Sequence, residues 1–367
     1  MRDLKEVTPS IFATSTGVFA GKTTFCLGLA LKLLDEGHAV GYFKPLGHVE
    51  LGAGEPYVDE DVMAFKDTLG LEEDEKTISP LSMSSKFLDH YTRVQMESLR
   101  KVVMDAYREV RKGKDFVVIE GLHGFKTGTL LGLDCPTLSE LLETKIIVVS
   151  TARDDFALDE ILEVKDSVSR REAQLPGVVL NSVPRLMVDR AHKAWLPELQ
   201  SQGLKVFGII PEDKNLAAPT VRDVIERLGG RLLVEASMDR PVENVLVGAM
   251  TYESALRYFR KARNKAVITG GDRADIVLAA LETDTSVIVL TGDMRPSSKI
   301  MDAATSRDVG VCVVPTDTYT AVTQLEAITG RIKPGDTRRA GLAKKAIESH
   351  VDWRALTEVA GLPKPSV

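Results

Sequence analysis

The start of the chain joins a short apolar run, a turn of small residues and a helical pattern. The apolar residues 11–14 predict a buried strand, and residues 22–34 predict a helix. The turn between them ends in the sequence Gly21, Lys22, Thr23. Small residues let several backbone N–H groups point in one direction, and the start of a helix also attracts anions. The arrangement therefore predicts a loop that binds phosphate.

The residue types in this loop match the needs of a nucleoside triphosphate. Lys22 is placed to reach the β- and γ-phosphates, and the hydroxyl group of Thr23 is placed to ligate magnesium. The strict spacing G-x-x-x-x-G-K-[ST] requires a glycine at Thr16, and here that glycine lies at Gly17. A plain strand-to-helix turn is the alternative. The predicted nucleotide-contacting residues are Thr16, Gly17, Ala20, Gly21, Lys22, Thr23 and Thr24.

Short runs rich in Val and Ile alternate with helical patterns along the chain, which is typical of parallel strands covered by helices on both faces. In the first part, strands are predicted at residues 11–14, 40–43, 116–119, 146–149, 177–180 and 206–210, and a helix at 97–111. In the second part, a helix is predicted at 221–228 and strands at 245–247, 266–269, 287–290 and 311–314.

The sequence changes after Pro211, and this change sets the predicted domain boundary. We predict an α/β fold in which a P-loop NTPase sheet over residues 1–215 is followed by a smaller α/β domain over residues 216–328. Residues 329–367 are predicted to form a C-terminal helical segment and a loose tail.

Polar side chains follow the predicted strands of the first domain, at the sheet edge where ligands bind in open α/β folds. Glu120, after the strand at 116–119, and Asp61, in an acidic segment, are candidate magnesium partners. Lys44 ends another strand and is placed to bind the γ-phosphate or a substrate, and the amide of Asn181 is placed to read adenine. A solvated carboxylate at Glu120 and an ordinary acidic helix start at Asp61 are the alternatives.

Composition excludes several classes of protein. The formal net charge is −6 without a basic block, so nucleic acid is not an expected partner. Cys26, Cys135 and Cys312 show no metal-binding spacing, and we expect reduced, mostly buried thiols. No apolar stretch approaches the roughly 20 residues of a membrane span or forms a signal peptide, so we expect a cytoplasmic protein without membrane contact.

Three of these segments together resemble a known family. Residues 12–24, the sequence Gly-Tyr-Phe-Lys-Pro at 41–45 and the sequence Val-Ile-Glu-Gly at 118–121 resemble the dethiobiotin synthetase branch of P-loop proteins. In particular, they resemble the dethiobiotin-synthetase-like N-terminal region of long bacterial phosphotransacetylases. The resemblance covers roughly residues 8–215.

The resemblance implies roles for individual residues around ATP and Mg²⁺. By position, Lys22 and Thr23 match the phosphate lysine and the magnesium hydroxyl, and Asp61 and Glu120 match the two acidic magnesium partners. Lys44 matches a lysine at the γ-phosphate and the substrate, which makes Lys22 and Lys44 the catalytic candidates.

The resemblance also implies where the base of the nucleotide lies. Asn181 matches the asparagine that reads adenine, and Pro211 and Glu212 match residues of the nucleotide pocket. The sequence Gly-Leu-His-Gly-Phe at 121–125 departs from the glycine-rich run of true dethiobiotin synthetases. The resemblance therefore implies the nucleotide but not the diamino acid substrate.

Residues 216–325 resemble the DRTGG domain, through the sequences Val-Gly-Ala-Met at 247–250, Thr-Gly-Gly-Asp-Arg at 269–273, Leu-Thr-Gly at 290–292 and Pro-Thr-Asp-Thr-Tyr at 315–319. In long phosphotransacetylases such a domain is regulatory and oligomer-forming, so the resemblance implies a homo-oligomer, and we expect a homodimer. A second ligand site is predicted at Thr269, Gly270, Gly271, Asp272 and Arg273. A tight turn with a local ion pair is the alternative. Because residue 367 follows this region closely, we expect no acetyl-transferring domain.

Three functions remain open on the sequence. The first is a regulatory ATPase or nucleotide sensor whose second domain reports the nucleotide state. The second is an ATP-dependent ligase of the dethiobiotin synthetase or cobyrinate amidase type, which activates a small carboxylate. The third is a scaffold that holds a nucleotide without turning it over.

Overall fold

The computed structural model describes residues 8–48, 59–91, 95–326 and 332–363. Its contacts divide the chain into two compact units. Unit 1 comprises Met1–Glu212 and Ile332–Val367, and unit 2 comprises Asp213–Arg331. Unit 2 is therefore an insertion in the sequence of unit 1.

The strands of unit 1 are β1 Ser10–Thr14, β2 Val40–Phe43, β3 Leu46–His48, β4 Leu81–Met83, β5 Phe116–Glu120, β6 Lys145–Thr151, β7 Gln174–Val183 and β8 Lys205–Pro211. The main sheet has the strand order β2-β5-β1-β6-β7-β8, and neighbouring strands run parallel. All five residues of β1 and of β5 are buried, as expected of strands covered on both faces. The chain passes from one side of β1 to the other between β5 and β6, which makes the carboxyl end of β1 the switch point where ligands bind in such sheets.

The helices between these strands and after β7 are α1 Lys22–Asp35, α2 Glu60–Leu69, α3 Glu75–Ile78, α4 Met96–Val110, α5 Cys135–Leu141, α6 Phe156–Ser169, α7 Val188–Arg190 and α8 Leu196–Ser201. Helix α4 shows why these segments are helical. Its buried residues Leu99, Val103, Tyr107 and Val110 recur every three or four positions, so one face of the helix packs on the sheet.

Unit 2 has its own sheet and its own helices. Its elements are α9 Lys214–Ala217, α10 Val221–Leu228, β9 Arg231–Val234, β10 Asn244–Val247, α11 Tyr252–Phe259, β11 Lys265–Gly270, α12 Ala274–Leu281, β12 Thr285–Thr291, α13 Ser298–Thr305, β13 Gly310–Val313 and α14 Thr318–Glu326. The strand order is β10-β11-β12-β13-β9, with β9 antiparallel to β13 and the other pairs parallel. Separate apolar clusters pack on the two faces of this sheet.

The chain returns to unit 1 as α15 Thr337–His350 and α16 Trp353–Val359. Helix α15 packs directly on α1, where a Cβ atom added at Gly28 would lie 2.5 Å from the carbonyl oxygen of Ala343. Lys344 pairs with Asp35 at 2.6 Å and adds an ion pair to this interface. The helical segment predicted after residue 329 thus forms helices on the surface of unit 1.

The α/β fold class is confirmed, because each strand predicted from a Val- and Ile-rich run is present with its ends within three residues of those predicted. The prediction missed the short parallel pair β3 and β4 and the strand β9. Strand β9 lies at the edge of its sheet, and β3 and β4 form a separate two-stranded sheet. None of the three contains a long apolar run, so their pairing depends on neighbouring elements. Residues 49–58 and the end of the predicted tail lie outside the described residues.

Candidate nucleotide-binding site

The predicted phosphate loop lies between β1, which ends at Thr14, and α1, which begins at Lys22. Gly21 is the N-cap residue and has φ 81°, a conformation that glycine adopts without strain. A glycine cap has no side chain to occupy the first N–H groups of α1, and the first turn contains no acidic residue. These N–H groups are the donors that anions use at helix N-termini. Thr16 contacts Ser150, with 3.3 Å between their hydroxyl oxygens.

The Lys22 side chain is folded against the loop that it belongs to. Its Nζ donates to Ser15 Oγ at 2.9 Å and to the carbonyl oxygen of His123. Lys22 is buried, and burial lowers its pKa while the charge of Glu120 opposes that shift. The ammonium group is thus held at the base of the loop, where a polyphosphate would offset the cost of burying it.

Thr23, in the first turn of α1, meets Glu120, the last residue of β5. Thr23 Oγ1 donates to Glu120 Oε1 at 2.7 Å, and the Tyr42 hydroxyl group donates to Glu120 Oε2 at 2.9 Å. Burial raises the pKa of Glu120, and the charge of Lys44 works against this increase. A hydroxyl group and a carboxylate are oxygen ligands of the kind Mg²⁺ takes alongside phosphate oxygens and waters. The pair therefore fits Mg²⁺, with Thr23 and Glu120 as the residues that would hold it.

Lys44 is an ion-paired ammonium group at the end of β2. Its Nζ lies 2.9 Å from Asp59 Oδ2 and also pairs with Asp61. Burial acts to lower the pKa of Lys44, but the charges of Asp61 and Glu120 outweigh it and raise the pKa overall. Asp61 is therefore a partner of Lys44, and Asp59 is a second carboxylate partner, which was not predicted from the sequence. Its position just before α2, where it caps the Asp61 N–H group at 2.9 Å, was the available signal.

Asn181 lies near the end of β7 and contacts the phosphate loop. Its Nδ2 donates to the carbonyl oxygen of Ala20 at 2.8 Å. Pro211 pairs with Val183 on the neighbouring strand, and the Glu212 N–H group donates to the Val183 carbonyl oxygen at 2.8 Å. The structure thus brings Asn181, Pro211 and Glu212 to the ends of two adjacent strands.

Three residues around this site have positive φ values although they are not glycine. Phe19, His123 and Ser182 have positive φ values of 56°, 50° and 52°, which are costly for residues other than glycine. Phe19 lies in the phosphate loop, His123 in the loop after β5, and Ser182 at the end of β7. Strained residues persist only where the surrounding structure holds them in place, and they are common in ligand-binding sites.

The residues of the candidate site in unit 2 form hydrogen bonds and packing contacts with other residues of that unit. Arg273 forms two hydrogen bonds of 2.9 Å with Asp275 and a third, of 2.7 Å, with the Met250 carbonyl oxygen. Thr269 Oγ1 donates to the Gly248 carbonyl oxygen at 3.0 Å. A Cβ atom at Gly271 would lie 2.2 Å from the Met294 carbonyl oxygen, so close packing already requires glycine there. A ligand site at these residues remains a prediction.

Other expectations concern metals, thiols and membranes. Among the residues that the structure describes, no three His, Cys, Asp or Glu side chains cluster as a metal site. Cys26, Cys135 and Cys312 are all buried. No described helix combines the length and the apolar character that crossing a bilayer requires.

The chain is similar to known phosphate acetyltransferases over both units. A phosphate acetyltransferase from Pseudomonas putida is 27% identical over 377 residues, which cover 97% of this chain and 52% of that protein. The ATP-dependent dethiobiotin synthetase BioD from Methanocaldococcus jannaschii is 24% identical over 207 residues, 54% of this chain and 92% of that protein. The chain spans about half the length of the phosphate acetyltransferases that it matches.

A solved structure and two sequence families complete the comparison. The septum site-determining protein MinD from Pyrococcus horikoshii is 18% identical with a TM-score of 0.35, covering 56% of this chain and 82% of that one. The DRTGG domain family matches residues 223–328. The AAA domain family matches residues 9–220, which is more than half of the 367 residues. The chain therefore belongs to the AAA domain family of P-loop proteins, and a DRTGG domain follows its P-loop domain.

Proposed function

We propose that unit 1 binds ATP with Mg²⁺ and that the protein is a regulatory ATPase or nucleotide sensor. The observation that carries this proposal is the convergence of Lys22, Thr23 and Glu120 at the start of α1. An ammonium group, a hydroxyl group and a carboxylate on a sheet switch point are the groups that a magnesium nucleotide requires. The DRTGG domain would respond to the nucleotide state, and through it the chain would form a homo-oligomer in the cytoplasm.

The side chains of the site have distinct tasks in this proposal. Lys22 and the N–H groups of the first turn bind the phosphates and neutralise part of their charge. Thr23 and Glu120 hold Mg²⁺, which when bound shields the phosphate oxygens. Lys44 keeps a positive charge beside the site because Asp59 and Asp61 stabilise it.

The substitution Lys22→Ala tests nucleotide binding. We expect isothermal titration calorimetry to show a loss of ATP affinity of about 10- to 150-fold, because a charge-assisted contact to phosphate disappears. Lys112→Ala is the matched control, since Lys112 is exposed and pairs with Glu109 at 2.5 Å. Undiminished ATP binding by Lys22→Ala would remove the basis of the proposal.

A ligase that activates a small carboxylate is the second candidate. The buried Lys44 favours it, because an ammonium group beside the phosphate site can bind a carboxylate and stabilise a transferring phosphoryl group. A ligase predicts ADP release that depends on one added acid, whereas a sensor hydrolyses ATP slowly without one. A screen of small carboxylates for stimulated ADP production separates the two. Retention of unhydrolysed ATP for many hours would instead favour a nucleotide-bound scaffold.

A further inference from the structure

The side chain of Asn181 is packed against the backbone of the phosphate loop. Its Nδ2 donates to the Ala20 carbonyl oxygen at 2.8 Å. A Cβ atom added to Gly21 would lie 2.1 Å from the same nitrogen, so the amide also rests on the Cα atom of Gly21. Recognition of adenine, the role implied by resemblance, does not explain why this donor is directed at the loop.

The end of β7 has an irregular backbone at this residue. The pairing of β7 with β8 shifts register between Leu180 and Val183, and Ser182 has φ 52°. The Asn181 carbonyl oxygen accepts a hydrogen bond from the Ala152 N–H group at 3.1 Å. Irregularities of this kind in strands often redirect a side chain next to an active site. Here the strained residue Ser182 directly follows Asn181, whose side chain points to the phosphate loop.

The geometry of the peptide bond transmits this contact to the nucleotide side of the loop. A trans peptide is planar, and its C=O and N–H groups point in opposite directions. Fixing the Ala20 carbonyl group therefore fixes the direction of the Gly21 N–H group. Gly21 has φ 81° and no Cβ atom, so no side chain of its own restricts rotation of the peptide between residues 20 and 21, and the hydrogen bond from Asn181 supplies that restriction.

We propose that Asn181 is a positioning residue for the polyphosphate: it locks the peptide between Ala20 and Gly21 and so holds the Gly21 N–H group in its phosphate-binding direction. The proposal rests on the proposed function, because it requires that the loop bind a polyphosphate. It assigns to Asn181 a task that is independent of the base of the nucleotide.

Inorganic tripolyphosphate, which has no base, separates the two roles. Calorimetry would measure the affinity of the full chain for ATP and for tripolyphosphate, each with Mg²⁺. We expect Asn181→Ala to weaken both by the same factor of about tenfold, the loss of one hydrogen bond that orders the loop. Asn181→Asp keeps the shape but replaces the donor with an acceptor facing the Ala20 carbonyl oxygen, and we expect it to weaken tripolyphosphate binding at least as much.

Asn244→Ala is the matched control, because Asn244 Nδ2 donates to the Arg263 carbonyl oxygen at 2.9 Å within unit 2. It should leave both affinities unchanged. The inference is overturned if either Asn181 variant loses ATP affinity but binds tripolyphosphate like the wild type, since the residue would then read only the base. It is also overturned if the wild type binds ATP but not millimolar tripolyphosphate, since the loop would then not be preformed. A wild type that binds no ATP contradicts the proposed function instead.

Discussion

The hydroxyl group of Thr23 donates a hydrogen bond of 2.7 Å to Glu120 Oε1, although the two residues lie 97 positions apart in the sequence. The contact joins the first turn of α1 to the last residue of β5, so a helix start and a strand end share one buried polar pair. Both oxygen atoms suit Mg²⁺, and the pair is the point where binding of the metal and of the nucleotide would be coupled.

The first prediction concerns this pair. We expect Thr23→Ala and Glu120→Gln each to reduce the gain in ATP affinity that Mg²⁺ provides, by about 10- to 100-fold, as for other ligand-shell changes. The measurement is ATP calorimetry with Mg²⁺ and with EDTA. Thr323→Ala, at an exposed threonine of α14, serves as the control. Equal Mg²⁺ dependence in the wild type and both variants would show that the pair does not hold the metal.

The second prediction concerns the ion-paired Lys44. Lys44→Met leaves Asp59, which is 5% exposed, without its ammonium partner, so we expect the free energy of unfolding to fall by about 3 kcal/mol. Urea denaturation measures this change. Adding Asp59→Asn to Lys44→Met removes the uncompensated charge and should restore part of the stability. No recovery in the double variant would mean that the loss comes from packing rather than from charge.

The third prediction concerns two helical glycines in unit 1. Gly28→Ala places a Cβ atom 2.5 Å from the Ala343 carbonyl oxygen, so α1 and α15 must separate, at a cost of about 1–3 kcal/mol. Gly341 in α15 is its matched control, because an added Cβ atom meets nothing within 4 Å. Gly341→Ala should therefore stabilise the protein by about 0.5–1 kcal/mol through helix propensity and unfolded-state entropy. Denaturation midpoints that move in the same direction for both variants would contradict the packing of α15 on α1.

The fourth prediction concerns pH and the fully buried Lys265 of unit 2. Its Nζ donates to the carbonyl oxygens of Asp284 and Ala262, at 2.5 and 3.2 Å, and burial lowers its pKa to about 8. The unfolded chain keeps this proton up to about pH 10.4, so between pH 8 and 10 it binds more protons than the folded chain. The contribution of Lys265 to stability therefore rises with pH, by at most about 3 kcal/mol.

Chemical denaturation between pH 7 and 10 tests this dependence by comparing the wild type with Lys265→Met. We expect the stability of the wild type relative to the variant to increase as the pH rises, because only the wild type contains the lysine whose pKa is lowered by burial. Lys261→Met, at an exposed lysine, should follow the wild type throughout. A constant difference between the wild type and Lys265→Met would show that the ammonium group is not destabilised by burial.

The sequence by itself determined the α/β class and the central residues of the candidate phosphate site. Apolar runs identified β1 and β5 because strands buried on both faces need nearly continuous hydrophobic residues. The Gly-Lys-Thr sequence located the start of α1, and Glu120 was identified because it follows such a run. Each of these features is determined by residues that are adjacent in the sequence, so a local sequence pattern is enough to predict it.

Tertiary structure decided which distant groups meet. Lys22 bonds to the carbonyl oxygen of a residue 101 positions away, and Asn181 bonds to Ala20 across 161 positions. Lys344 of α15 pairs with Asp35 of α1 across 309 positions, and this ion pair helps to hold α15 on unit 1. No local pattern predicts these contacts, because periodicity shows which side chains are buried but not which surface buries them. The proposed positioning role of Asn181 depends on such a contact: the sequence predicted it at a strand end, and only the folded chain places its amide against the predicted phosphate loop.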